Sequence, residues 1–141
     1  MVATKTQALE KQKALQVLNN FLDQFKNCCK QKQPPNVANF EHILSNDFQN
    51  SSNGKVIGKN IQDFLKRIQE VQKKYSNIEF SRLQDCLISG NKAIIQYDMI
   101  LNLQNGEKRP LNIMAIATIN GDLITHWSQV SHDKNRDHIH S

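Results

Sequence analysis

The amino-acid sequence predicts an α+β domain in which N-terminal helices pack on a mainly antiparallel sheet. Apolar residues recur every three or four positions over much of the chain up to Tyr75 and mostly at every second position after it, which indicates mainly helices first and strands afterwards. The pairs Asn105-Gly106 and Asn120-Gly121 separate the alternating segments and are typical of hairpin turns. The chain has 141 residues, a length that fits one domain.

Three helices are predicted. The first covers residues 6–27, whose apolar residues are spaced by three and four, and it cannot continue through the Pro-Pro pair at positions 34–35. A short second helix follows Asn36 and reaches Leu44. Asn60 caps a third helix, with Asp63 in its first turn, where a negative charge favours the positive end of the helix. Its predicted buried stripe consists of Ile61, Phe64, Leu65, Ile68, Val71 and Tyr75.

Strands are predicted from a change in the apolar period. A short extended segment begins at Phe48, and after a turn a brief second strand contains Val56 and Ile57. Residues 78–88 form a strand with a bulge near Arg82, because its alternation breaks there. Three further strands are predicted over residues 91–104, 111–119 and 123–130.

One domain is expected over residues 8–132, between a flexible N-terminus (1–7) and a flexible polar tail (133–141). His132, His138 and His140 lie close together in the sequence, and short His-rich tracts can bind transition metals. No two of them have the i, i+4 spacing of a helical ligand pair. We therefore predict no metal site, and no cofactor.

Composition excludes several classes of protein. The net charge is +5, but no stretch interleaves the basic residues with aromatic ones, so we expect no nucleic-acid partner. No apolar run approaches the ~18–20 residues of a membrane span, so no membrane partner is expected either. Three cysteines make a poor disulfide framework, and the N-terminus has no apolar stretch typical of a signal peptide. These features predict a cytoplasmic protein.

Three segments resemble a known family. Residues 44–48 are similar to the point where the second helix of the nuclear-transport-factor-2-like superfamily enters the first strand. Gly58, with the residues after it, resembles the glycine that opens the third helix, and residues 120–127 resemble the closing hairpin, whose strand carries Trp127. The resemblance covers about residues 8–132 and points to the SnoaL-like polyketide cyclases and ketosteroid isomerases. It implies a cone-shaped roll with a curved sheet and a pocket at its open end.

The resemblance also raises the question of catalysis. Ketosteroid isomerase chemistry needs a carboxylate base, a tyrosine and a second acid. Residues 48–62 and 108–118 contain no Asp or Glu where the family has its acids, and Phe21 and Phe25 stand where the tyrosine is expected. We therefore expect no such mechanism. The catalytic candidates for another cyclase, isomerase or dehydratase reaction are Tyr97, Asp47 and His126.

The function favoured by the sequence is binding of a small, largely apolar molecule inside the cone. Aromatic and methionine side chains suit an adaptable apolar cavity. Alternatively, the same side chains fill the cone as plain core, the protein is an enzyme acting on a small hydrophobic substrate, or it is a protein-interaction module. The residues predicted to line the pocket are Phe21, Phe25, Phe48, Phe64, Tyr97, Met99 and Trp127.

The opposite face of the sheet predicts a homodimer. Its residues alternate with those that face the cone, so His126 and Asp98 point outward if Trp127 and Tyr97 point inward. The face is too apolar for water and too polar for a core, as in many two-fold interfaces. Its predicted members are Ile94, Gln96, Asp98, Ile100, Asn102, Met114, Ile116 and Thr118.

Overall fold

The computed structural model describes residues 9–31 and 33–134. Within them, two α-helices, one 3₁₀ turn and seven strands follow one another. The predicted flexible N-terminus and residues 135–141 of the predicted tail lie outside the described residues. The elements are α1 (Lys11–Gln31), the 3₁₀ turn (Val37–Asn39), β1 (Leu44–Ser52), β2 (Lys55–Gly58), α2 (Ile61–Lys74), β3 (Tyr75–Phe80), β4 (Leu87–Ser89), β5 (Lys92–Leu103), β6 (Lys108–Asn120) and β7 (Leu123–Asp133).

The strands form one curved, mostly antiparallel sheet in the order β2-β1-β7-β6-β5-β3, and β4 pairs with β5. The predicted antiparallel meander is present as β3, β5, β6 and β7. β1 joins this meander in parallel with β7, where Asn50 lies opposite Trp127. The α+β cone fold that the sequence predicts is therefore confirmed.

The core lies between the helices and the concave face of the sheet. Burial alternates along β5, where Ala93, Ile95, Tyr97, Met99 and Leu101 point inward. This is the period of two that the sequence predicts for a half-buried strand. α1 packs against β3, and α2 packs against α1 and β1, so both helices cover the same face. No helix among the described residues is long and apolar enough to cross a membrane.

The start of α2 is confirmed at the predicted cap. The Asn60 side-chain oxygen accepts a hydrogen bond from the Asp63 backbone N–H at 2.9 Å. The Asp63 carboxylate accepts in return from the Lys59 N–H at 3.0 Å. These two bonds satisfy N–H groups that have no partner within the helix.

The predicted short second helix is wrong. Its residues form only a 3₁₀ turn after Asn36, and β1 begins at Leu44 rather than at Phe48. The reason is pairing across the sheet, since Leu44 lies opposite Ile124 and the Ile43 carbonyl accepts from the Ile124 N–H at 2.8 Å. Ladder bonds with β7 replace the helical bonds that the local sequence favours.

The predicted strand over residues 78–88 is two strands, β3 and β4, separated by an irregular segment over 81–86. The buried side chain of Asn19 holds this segment. Its amide donates to the Leu83 carbonyl at 3.2 Å and accepts from the Leu83 N–H at 2.9 Å. The Asn19 side chain thus makes the two backbone hydrogen bonds that a neighbouring strand would otherwise make with Leu83. The alternation of apolar residues does not reveal this contact.

The last strand is longer than predicted and extends past Val130 to Asp133. Its end pairs with β6, with His132 opposite Asn112. The Asp133 carboxylate lies 3.1 Å from a terminal nitrogen of Arg109, also on β6. Residue 133, the first residue of the predicted tail, is therefore part of the sheet, held there by pairing and charge.

Candidate ligand cavity

A cavity of about 170 Å³ lies between the two helices and the concave face of the sheet. The side chain of Ile57 on β2 and that of Arg67 on α2 belong to its wall and are also exposed, so the cavity opens between these two elements. A cavity of ~150 Å³ is large enough to hold benzene. The space therefore fits a molecule of about one ring.

Aromatic side chains form the inner wall of this cavity. Phe21 on α1 is central, with its ring centroid 4.9 Å from that of Trp127 and 5.7 Å from that of Phe64. Phe48 meets Phe64 edge-on at 5.3 Å. Tilted and edge-on contacts of this kind are the favoured arrangements of aromatic rings. They fix the wall without filling the cone.

All seven side chains that the sequence analysis assigned to a pocket lie on this wall. They come from α1, α2, β1, β5 and β7, and inward-facing positions of the helices and strands bring them together. Whether they bind a ligand stays a prediction. The residues are Phe21, Phe25, Phe48, Phe64, Tyr97, Met99 and Trp127.

Asn50 is a polar wall residue that the sequence analysis missed. It is 8% exposed, and its side-chain oxygen is buried and accepts no hydrogen bond from the described residues. A Cβ on Gly58 would stand 2.5 Å from this oxygen, so the amide packs directly over the glycine. The signal was present in the sequence, because Asn50 is two positions after the apolar Phe48 and shares its face of the strand. Leaving a buried acceptor without a partner costs about 1–3 kcal/mol.

Tyr97 is the one catalytic candidate that reaches the cavity. It is 8% exposed, its ring meets Phe80 edge-on at 6.2 Å, and its hydroxyl makes no hydrogen bond with the described residues. Burial raises the pKa of this hydroxyl well above its ordinary value. Tyr97 is therefore a neutral donor or acceptor at physiological pH.

Three other polar groups of the wall have partners. The Trp127 indole N–H donates to the Gln129 side-chain oxygen at 2.8 Å. The Tyr75 hydroxyl accepts from Arg109 at 3.2 Å. Arg67 donates from one terminal nitrogen to Glu70 at 3.2 Å, where both side chains are more than half exposed.

Asp47 and His126 do not reach the cavity. Both are exposed, because each precedes a buried aromatic residue, Phe48 or Trp127, and successive side chains of a strand point to opposite faces. The Nδ1 atom of His126 lies 3.0 Å from the hydroxyl oxygen of its neighbour, Thr125. The structure thus separates Tyr97 from the acid and the histidine that would share a reaction with it.

The wall offers apolar packing, a few neutral polar groups and one arginine, and little acid–base chemistry. Among the described residues, no Asp, Glu or His lines the cavity. The same part of the chain holds no group of three or more metal-ligating side chains. Asp98 lies on the outer face, where Lys134 at 2.9 Å and a hydrogen bond from Asn112 lower the pKa of its carboxyl.

Solved structures with similar folds are found, although no protein-family model and no curated protein matches the chain. An LEH-like epoxide hydrolase of M. tuberculosis has a TM-score of 0.69 at 12% identity, covering 88% of this chain and 86% of that chain. An NTF2-like protein from Anabaena variabilis has a TM-score of 0.67 at 11% identity, covering 91% and 96%. A protein described as a SnoaL-like polyketide cyclase, from Jannaschia, has a TM-score of 0.64 at 7% identity, covering 91% of each chain.

These likenesses span nearly the whole of each chain, which agrees with the helix order and the curved sheet. At such low identities they speak to the fold and not to an activity, because one fold serves many functions. The chain has the nuclear-transport-factor-2-like, SnoaL-like α+β cone fold.

Proposed function

We propose that the protein binds a small, largely apolar molecule in the cone cavity. The observation that carries this proposal is an aromatic cavity whose wall includes Asn50, a buried amide with no partner for its oxygen among the described residues. An unpaired buried acceptor is destabilising, and of the three such side-chain oxygens among the described residues, that of Asn50 is the one on the cavity wall. A ligand that donates a hydrogen bond to Asn50 while it packs against the rings would remove that cost.

Catalysis on a small hydrophobic substrate is the second candidate. The epoxide hydrolase and the polyketide cyclase among the similar structures favour it. Against it, Tyr97 is the one candidate on the wall, and a hydroxyl with a raised pKa is a weak acid that supplies almost no phenolate base at neutral pH. Binding without catalysis therefore has the stronger support.

The lone tryptophan provides the assay, since Trp127 lines the cavity and is 5% exposed. Toluene and benzyl alcohol should each change its fluorescence, and benzyl alcohol should bind more tightly because its hydroxyl can donate to Asn50. Met99→Phe should abolish the change by filling the space, whereas Met114→Phe, on the outer face, should leave it intact. An unchanged signal with both compounds, or equal binding by Met99→Phe, would refute the proposal.

Tyr97→Phe separates the two candidate functions once a ligand is in hand. If the hydroxyl serves binding, its loss should weaken a polar ligand by about 1 kcal/mol, the contribution of one neutral hydrogen bond. If it transfers a proton in catalysis, turnover should fall by roughly a hundredfold or more. Titration of the ligand and assay of its conversion, on the same variant, distinguish the two results.

A homodimer through the outer face of the sheet is also part of this proposal. Met114 lies opposite Val130, and Ile116 lies opposite Ile94, so these apolar side chains form one patch across β5, β6 and β7. Met114, Ile116 and Val130 are 46%, 42% and 55% exposed in the single chain. Thr118, also predicted on this face, is 9% exposed and accepts a hydrogen bond from the Lys92 side chain, so it adds little to the exposed patch.

Sedimentation at tens of micromolar, a rough working concentration for a modest interface, tests the dimer. The wild type should sediment as a dimer, and Met114→Glu should be monomeric, because it places a charge in the patch. Lys55 provides the control, because it is exposed on β2 and lies outside the patch. Lys55→Glu should therefore remain dimeric. A wild type that is strictly monomeric would refute the interface.

A cytoplasmic location completes the proposal. Cys28, Cys29 and Cys86 are buried as thiols. Thiols persist in reducing compartments such as the cytoplasm, which supports this location.

A further inference from the structure

The wall of the cavity carries one permanently charged side chain among the described residues, and that charge is positive. Arg67 lies on the wall, while no Lys, Asp or Glu does. The neutral polar groups of the wall, such as Asn50 and Tyr97, are compatible with many ligands. The guanidinium is more selective, because it favours an anionic group and disfavours a cationic one.

Arg67 is placed at the mouth rather than in the depth of the cavity. Its side chain is 52% exposed, and Ile57, the other exposed wall residue, is 37% exposed. Within the described part of the chain, its one ion pair is with Glu70, which is 66% exposed. Ion pairs between exposed side chains contribute little to stability. The guanidinium can therefore exchange Glu70 for a ligand carboxylate, which it can bind through two parallel N–H groups.

The space behind Arg67 sets the rest of the ligand. It measures about 170 Å³ and is lined mainly by aromatic and aliphatic side chains. An apolar ring fits there, with an acid group directed back toward the mouth. A second acid group would meet no further cation among the described wall residues.

We propose that the ligand is a monocarboxylate with one ring or a short apolar chain, whose acid group binds Arg67 and whose apolar part fills the cavity. This rests on the proposed function, because it names the class of molecule that the cavity takes. The net charge of +5 adds a weak long-range attraction for anionic ligands.

Three probes of similar size separate charge from shape: phenylacetate, phenylacetamide and phenethylamine. With Trp127 fluorescence as the readout, phenylacetate should bind roughly five- to tenfold more tightly than the amide, the range for a charged hydrogen bond reduced for exposure. Phenethylamine should bind most weakly. The preference for phenylacetate should shrink as sodium chloride is added, because salt screens exposed charges.

Two substitutions should act in opposite directions on phenylacetate. Arg67→Gln should make phenylacetate and phenylacetamide bind alike, and Arg67→Lys should keep part of the preference. Glu70→Gln should strengthen phenylacetate binding roughly twofold, because it removes the competing carboxylate. Arg82→Gln is the matched control: Arg82 is 63% exposed, pairs with Asp23 and is not on the wall, so the preference should be unchanged.

The outcomes distinguish this inference from the function on which it rests. If none of the three probes, nor toluene, changes the fluorescence, the cavity does not bind ligands and both fail. If phenylacetamide binds as tightly as phenylacetate, or if Arg67→Gln keeps the preference, the cavity binds ligands but the carboxylate assignment is wrong. The assignment is supported if Arg67→Gln loses the preference for phenylacetate over phenylacetamide and Glu70→Gln binds phenylacetate more tightly than the wild type.

Discussion

Replacing Asn50 by leucine should stabilise the protein in the absence of ligand. The two side chains have the same branched shape, so the change removes the unpaired oxygen and leaves the space over Gly58 filled. The unpaired acceptor costs about 1–3 kcal/mol when fully enclosed. Because the leucine methyl that replaces this oxygen must also fit closely over Gly58, we take the lower end and expect a gain of about 1 kcal/mol.

Thermal and urea unfolding, followed by Trp127 fluorescence, measure this gain. Unfolding entropy of about 2.1 cal/mol/K per residue makes 1 kcal/mol equivalent to about 3 °C in Tm for a chain of this length. Asn46→Leu is the matched control, because Asn46 lies on the same strand and is exposed. It should change the unfolding free energy by less than ~0.5 kcal/mol.

Binding should change in the opposite direction. Asn50→Leu should lose the preference for benzyl alcohol over toluene, since leucine cannot accept the hydroxyl proton. A protein that is destabilised by more than ~1 kcal/mol in Asn50→Leu, beside a neutral Asn46→Leu, would show that the amide is needed for packing. The interpretation of Asn50 as a ligand group would then be wrong.

Two further predictions concern the fold and its pH dependence. Asn19→Ala should lower the unfolding free energy by about 2–4 kcal/mol, because it leaves the N–H and the carbonyl of Leu83 without their hydrogen-bond partner. Asn20 is exposed, so Asn20→Ala should be nearly neutral in the same urea unfolding experiment. A similar result for both variants would refute the role of Asn19. Burial raises the pKa of Tyr97 above its ordinary 10.0, so the unfolded chain loses this proton first and stability should fall as pH rises above about 10. Tyr97→Phe should remove part of that fall in alkaline unfolding curves, and a Tyr97→Phe curve parallel to the wild type would contradict the assignment.

Local sequence was enough to predict the fold class and most of the elements. The period-three-to-four spacing of α1, the Asn60 cap of α2 and the strict alternation of β5 each depend on residues close together in the chain. Alternation alone also predicts which strand residues share a face, which is why Tyr97 and Trp127 were both expected inside the cone.

Tertiary structure decided the features that depend on residues far apart in the chain. Leu44 is in a strand because Ile124 pairs with it, and Leu83 is held by Asn19, 64 residues away. The same holds for the cavity's polar groups. The sequence shows an asparagine at position 50 and an arginine at position 67, but only the packed sheet and helices reveal that one has an unpaired buried oxygen and the other stands at the mouth. The spacing of apolar residues predicts which face of each helix or strand is buried. Hydrogen-bond partners and cavities depend instead on how the elements pack against each other.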